Sequence, residues 1–298
     1  MKPILLDTHF HIWDTSRISY PWVEAAQATP QWFLGPNRLP LTYSLADYTR
    51  EWGPFGVRPF VHVEAGAAPE SATAETDAVL LAADVGGALR LVVGVDLERP
   101  NLVGELERQC EHAEVVGVRQ IVTWDRDQSR SFISEDVLSR PQWRDGFRLL
   151  ESLGLGFDLQ IHPSQAHAAA YLAGSFPAVR FVLNHAGMPI LDSAPELKLW
   201  KSSLSTLAAH ENVAIKIGGF SMTNVNLSTA QIENAVLDTL DAFGSRRVVI
   251  GTNAPVESTR KSPKLSMDGL WAALGALSQA EVNAIAQENA HNWYPVRT

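Results

Sequence analysis

Residues 4–14 read ILLDTHFHIWD. A short apolar run, Ile4–Leu6, gives way at once to Asp7 and then to two histidines two positions apart, His9 and His11. In extended backbone, residues i and i+2 share a face, so the two imidazoles project together. A strand that ends in paired ligand-capable side chains is how a parallel (β/α)₈ barrel would open its active end, because catalytic groups on that fold sit at the C-terminal tips of the strands. The reading holds only if seven comparable runs follow.

Seven follow. With the first run taken as Ile4–Asp7, the candidates are Val57–Val63, Leu91–Val95, Val115–Ile121, Gly156–Ile161, Val179–Leu183, Val213–Ile217 and Arg247–Gly251. Longer segments of helical character separate them, which is the pattern of repeated βα units and a parallel sheet. Pro141–Leu153 has proline in its first turn, glycine just beyond its end, and Trp143, Phe147 and Leu150 on one face. Ala194–Ala209 carries Leu197, Trp200, Leu204 and Leu207 as an apolar stripe. Asp14–Thr49 is different: long, weakly periodic, and rich in Trp, Tyr and Pro. It reads as an extended first βα loop, the kind that builds binding sites on barrels. The fold expected is therefore α/β, one (β/α)₈ barrel of the TIM type, with residues 1–298 as a single domain.

Composition agrees. Of 298 residues, 46% are hydrophobic and 19% charged, enough for a large core and unlike a disordered chain. The formal net charge is −9 with no basic run, which argues against nucleic acid and against anionic membranes as partners. A small molecule is the partner expected, and the oligomeric state stays open. The single cysteine, Cys110, forms no internal disulfide and fits a reducing, cytoplasmic setting. The chain enters its first apolar run without a basic-then-apolar leader, and no window approaches 18 uncharged apolar residues.

Polar side chains gather where the runs end. Glu64 follows the second run, Arg119 lies in the fourth, and Trp124, Asp125 and Arg126 come just after it. His162 closes the fifth run, His185 the sixth, Lys216 lies in the seventh, and Asn253 follows the eighth. On a barrel these tips converge on one mouth. His9, His11 and His185 suit a metal or a clamp on a substrate oxygen. Arg119 and Arg126 suit a substrate carboxylate, since guanidinium forks match carboxylates, or rim salt bridges. Glu64 reads as a ligand, a base or a strand-end carboxylate. Lys216 needs a buried partner or access to the mouth, because a lone buried ammonium is costly. His112, His167, His210 and His291 fall in helical or terminal segments and read as structural or solvated.

These pieces resemble a known family. LLDTHFHIWD, FVHVEAG, GVRQIV, NHAGMP, AIKIGGF, RVVIGTNAPV and the closing ENAHNWY stand in the order found in the amidohydrolase superfamily, and are most similar to its group of sugar-lactone and pyrone-dicarboxylate lactonases. The resemblance implies a distorted barrel that hydrolyses a cyclic ester with activated water. His9 and His11 match the family's strand-one His-x-His, and His185 its strand-six histidine. It also implies either one divalent ion, zinc, held by His9, His11 and His185, or no metal, since members differ. Arg119, Arg126, His162, Glu64 and Trp124 would contact substrate. Asn253 departs from the pattern: the family carries aspartate there. An amide cannot take a proton from water and is a poor metal ligand. An engineered Asp-to-Asn change that cripples the enzyme is one account; a natural variant with altered chemistry, or with binding only, is the other. A metal-dependent decarboxylase or hydratase of a ring-derived acid, and a catalytically dead binding barrel, are the rival readings.

Overall fold

A computed structural model describes residues 3–83 and 89–297. Its strands are β1 Leu5–Asp7, β2 Trp13–Asp14, β3 Thr42–Tyr43, β4 Val57–Pro59, β5 Val61–Val63, β6 Arg90–Gly94, β7 Val115–Arg119, β8 Gly156–Leu159, β9 Phe181–Leu183, β10 Val213–Ile217 and β11 Val248–Ile250. Nine of them form a single parallel sheet in the order β4-β1-β11-β10-β9-β8-β7-β6-β5, while β2 and β3 make a separate antiparallel hairpin. The ends of the order, β4 and β5, are consecutive pieces of the run expected at Val57–Val63. β4 pairs with β1 (Leu5↔Val57, Asp7↔Pro59) and β5 with β6 (Val61↔Arg90), so this run closes the ring. It breaks at Phe60, whose amide donates to the Asp7 carbonyl (3.0 Å). Pro59, which has no N–H to give, sits at the switch.

Alternation sorts the side chains. Along β10, Val213, Ile215 and Ile217 join the layer under the helices, whereas Ala214 joins Val92, Val116, Val182 and Val249 in a small cluster inside the ring. Tyr294, near the C-terminus, plugs that inner cluster. Outside, the helix Pro141–Ser152 buries Trp143, Phe147 and Leu150 completely, and Phe147 lies 4.9 Å from Phe157 and 5.6 Å from Phe181, ring centre to ring centre. Burying each large aliphatic or phenyl side chain contributes roughly 1.5–3 kcal/mol, so these contacts lock helix to barrel. The helix Ala194–Ala208 uses Trp200, Leu204 and Leu207 in the same way, with Leu197 half-buried against them.

The first βα connection is more ordered than its sequence suggests. It contains the helix Pro21–Ala28 and the β2–β3 hairpin, and it ends in the helix Leu45–Trp52 rather than running as loop to Thr49. Ser44 and Asp47 start that last helix with reciprocal side-chain-to-backbone hydrogen bonds, a capping box. No helix among the described residues is long and apolar enough to cross a membrane.

Candidate active site

The strand tips surround a cavity of about 400 Å³. His11, Arg119, Gln160, His185 and Asn253 line its floor, each from or just beyond a different strand. Asp7, buried beneath, ties the first tip to the last. Its carboxylate accepts from the amides of His9 and Thr252 (both 2.9 Å), from the Thr252 hydroxyl (2.6 Å) and from the Tyr48 hydroxyl (2.7 Å).

His9 and His11 lie together as their spacing requires, 5.0 Å apart between ring centres, and His185 stands 4.5 Å from His9. All three are buried. Burial first, and then the nearby cations Lys216 and Arg119, hold the three rings well below the usual histidine range, so they are neutral near pH 7. The tautomer of His11 is fixed: Nδ1 is 2.8 Å from the Val63 carbonyl, which only accepts, so Nδ1 carries the hydrogen and Nε2 keeps a lone pair. Asn253 Oδ1 is 3.3 Å from that Nε2, while Asn253 Nδ2 is buried without a protein partner. Nε2 and Oδ1 are both acceptors, so a donor entering from the cavity, such as water, is what satisfies the two together.

Special backbone places these groups. His185 and Asn253 both hold positive φ, 51° and 57°. Strain of this kind persists where surrounding structure enforces it and concentrates at functional sites. Trp200 Nε1 pins the His185 turn by donating to the Ala186 carbonyl (2.7 Å). At Gly219 a Cβ would fall 2.5 Å from His185 Nδ1, so only glycine leaves room for the ring.

Arg119 is anchored rather than free. Its Nε donates to Glu64 Oε1, its Nη2 to the Glu64 carbonyl (2.7 Å) and its Nη1 to Gln160 Oε1 (3.3 Å). Glu64 also accepts from Gly66 N (2.6 Å), so it acts as the brace of Arg119 and not as an open base. Lys216 is paired: Nζ contacts Asp158 Oδ2 and donates to the Thr8 carbonyl (2.7 Å), and Asp158 accepts the Tyr294 hydroxyl (2.8 Å). Burial pushes the Lys216 ammonium down to about 8.

Five residues expected at the site do not line the cavity: His9 and Glu64, which pack against lining residues, and three that lie elsewhere. His162 caps the turn Pro163–Gln165, with Nδ1 2.9 Å from Ser164 Oγ and 3.0 Å from Asp125 Oδ2. Trp124 receives the Gln165 side chain at its backbone amide (3.0 Å), and Arg126 is exposed. None of the three lines the cavity. Gln160 belongs to the floor although the sequence pointed only to its neighbour His162. The aromatic wall formed by Trp22, Trp32, Phe33 and Phe132 joins the first loop to a loop over a hundred residues later.

The arrangement does not fit a divalent ion. His9 Nδ1 faces the Lys216 ammonium and His9 Nε2 faces Arg119 Nη1, each at 3.4 Å, so both ring nitrogens meet cationic donors. Among the described residues no group of three or more His, Cys, Asp or Glu side chains is placed to hold a metal.

A closed parallel ring with polar groups at its strand tips defines a TIM-type barrel with an enzyme-like mouth. The amidohydrolase family model matches residues 6–296, and the chain belongs to that family. It is 31% identical over 298 residues to an uncharacterised protein of Sinorhizobium fredii, covering 98% of each chain. It is 25% identical over 275 residues to an L-fucono-1,5-lactonase of Burkholderia multivorans, covering 86% of this chain and 83% of that one. Its fold matches that of an amidohydrolase from Burkholderia multivorans crystallised with bound zinc: TM-score 0.78, 22% identity, 99% of this chain and 100% of that one. The family and these relatives support a hydrolase.

Proposed function

We propose that this chain binds a cyclic ester in the cavity and opens it with water, without a metal ion. The observation that carries the reading is the convergence of His11 Nε2, His185, Arg119 and Asn253 on one floor. The lactone carbonyl points at Arg119, a preorganised cation suited to the developing oxyanion. Asn253 holds the attacking water. His11 Nε2 takes its proton, and the Val63 carbonyl steadies the Nδ1–H as positive charge develops on the ring. Water oxygen bonds to the carbonyl carbon, the ring C–O bond breaks, and the proton passes from His11 to the departing oxygen, giving a hydroxy acid. His9 packs against His185 and His11 and keeps their rings in place.

Such a site is a slow one, since burial and the neighbouring Arg119 lower the basicity of the His11 imidazole. Asn253→Asp would install the missing base 3.3 Å from His11 Nε2. General-base assistance is worth roughly 10²–10⁴-fold, so Asn253→Asp is expected to raise lactone turnover by about 10²-fold, read with a pH indicator over a lactone panel. Failure of both forms to open any lactone, with or without added divalent metal, overturns the reading. Asn253 itself favours one second reading, a barrel that binds but does not turn over; measurable affinity without hydrolysis, even in Asn253→Asp, would support it. A metal-dependent decarboxylase is disfavoured by the cationic surroundings of His9.

A further inference from the structure

The cavity's polar groups lie mainly on its floor, with Gln31 and Ser131 the further polar residues of its lining. Above the floor the walls are Trp22, Trp32, Phe33 and Phe132, with Met222 and Val256 completing the apolar surface. The aromatic rings brace one another: Phe33 and Phe132 are 4.9 Å apart, Trp32 and Phe132 5.1 Å, and Trp22 and Phe33 6.0 Å. Most polar atoms near the walls are already committed; the exceptions are the Trp32 indole N–H and the Gln31 carboxamide, of which only Nε2 is engaged, donating to the Thr29 carbonyl (3.3 Å). Trp22 Nε1 donates to the Ala65 carbonyl (2.6 Å), and Ser131 Oγ accepts from Asp125 N (2.8 Å) and donates to the Asp125 carbonyl (3.1 Å).

Charge is balanced as well. Arg119 is the one charged residue lining the cavity among those described, and Glu64 neutralises it through both a carboxylate oxygen and its backbone carbonyl. Lys216, beneath the floor, is neutralised by Asp158. Among the described residues no unpaired cation lines the cavity to receive a substrate carboxylate.

Resting on the hydrolase reading above, we infer that the substrate class is an uncharged cyclic ester bearing a flat apolar substituent: the ester ring sits on the polar floor and the substituent lies between the aromatic walls. A polyhydroxylated lactone would press several hydroxyls against walls that offer only the Gln31 carboxamide and the Trp32 indole N–H, and each hydroxyl left unpaired costs roughly ten-fold in affinity. A dicarboxylate would bring charge into a cavity that has no free cation. A phenyl group, in contrast, removes about 100 Å² of apolar surface from water, worth roughly 30-fold or more in affinity.

Binding of γ-phenyl-γ-butyrolactone, γ-butyrolactone and D-ribonolactone would be compared by quenching of tryptophan fluorescence, since Trp22 and Trp32 line the cavity. Ring opening of the same three would be followed in the original chain and in Asn253→Asp. The phenyl lactone is expected to bind about 30-fold tighter than γ-butyrolactone, with D-ribonolactone weakest. Phe132→Ala, and separately Trp32→Ala, should each narrow the phenyl preference at least three-fold; both positions are half-buried surface-loop residues, and two variants guard against one misfolding. If D-ribonolactone is opened and binds as tightly as the phenyl lactone, the substrate inference falls while the hydrolase reading stands. If no lactone binds or is opened by either form, both fall.

Discussion

Two polar clusters lie within a few ångströms of each other in the barrel, and they are built on opposite terms. Beneath the floor, Lys216, Asp158 and Tyr294 are fully buried, and each charge has its counterpart: Lys216 with Asp158 and the Thr8 carbonyl, Asp158 with the Tyr294 hydroxyl and the Asn184 side-chain amide. At the floor, Asn253 Nδ2 is buried with no protein partner, His185 and Asn253 hold positive φ, and the three imidazoles crowd together uncharged. Satisfied polar networks specify a structure, whereas unsatisfied groups are uncommon enough to mark strain or chemistry. The lower cluster therefore reads as architecture and the upper one as the working surface.

That contrast is easiest to break at Asp158. Asp158→Asn leaves the Lys216 ammonium buried without its counter-charge, and removing one partner of a buried pair typically costs 3–5 kcal/mol. In a domain of this size the expected loss is roughly 6–10 °C in thermal midpoint. The double variant Asp158→Leu/Lys216→Met, which removes both charges, should recover most of the loss. If Asp158→Asn melts within about 2 °C of the original chain, the lower cluster is not the structural element described here.

A third cluster asks whether pairing or protonation keeps a buried acid tolerable. Glu75 is buried behind Glu64, accepts from Ala65 N (2.9 Å) and bonds the Tyr20 side chain. Burial, and then repulsion from Glu64, push its carboxyl up to about 8. The folded state then keeps a proton that the unfolded chain has released above about 4.5, so stability is full at low pH and falls as pH rises through the window from about 4.5 to about 8. Glu75→Gln keeps an acceptor for Ala65 N and does not titrate. The unfolding free energy from denaturant titrations should fall from pH 5 to pH 8 in the original chain, by something on the order of 3 kcal/mol, and much less in Glu75→Gln. Equal slopes in the two would show that Glu75 ionises normally.

The sequence made the barrel legible because its signal is local: apolar runs ending in polar residues recur eight times, and each falls within a few residues of an observed strand or strand pair. The switch at Phe60 was not legible, since one run serving two neighbours is a property of ring closure. The helix Leu45–Trp52 could have been read, because Ser44 and Asp47 spell a capping box. Of the residues expected from their positions at strand ends, His11, His185, Arg119 and Asn253 line the cavity, and His9 packs against His11 and His185. His162, Trp124 and Arg126 fall outside the lining, a distinction that position near a strand end alone does not make. The partners of Lys216 were invisible: Asp158 and Tyr294 are distant in sequence and meet it only through the fold.

The smallest effect is expected where the floor itself is altered. Asn253→Gly keeps a residue at ease with φ near 57° and deletes the amide whose Nδ2 has no protein partner. What is lost is one 3.3 Å contact to His11 and some chain stiffness, together below about 1 kcal/mol. The thermal midpoint should therefore move by no more than about 2 °C. Lactone affinity or turnover should drop in the same protein, because the water-holding group is gone. A working surface tolerates loss of its side chain in the fold and not in the chemistry. A melt as damaged as that of Asp158→Asn, with ligand binding intact, would reverse the assignment and make Asn253 part of the architecture.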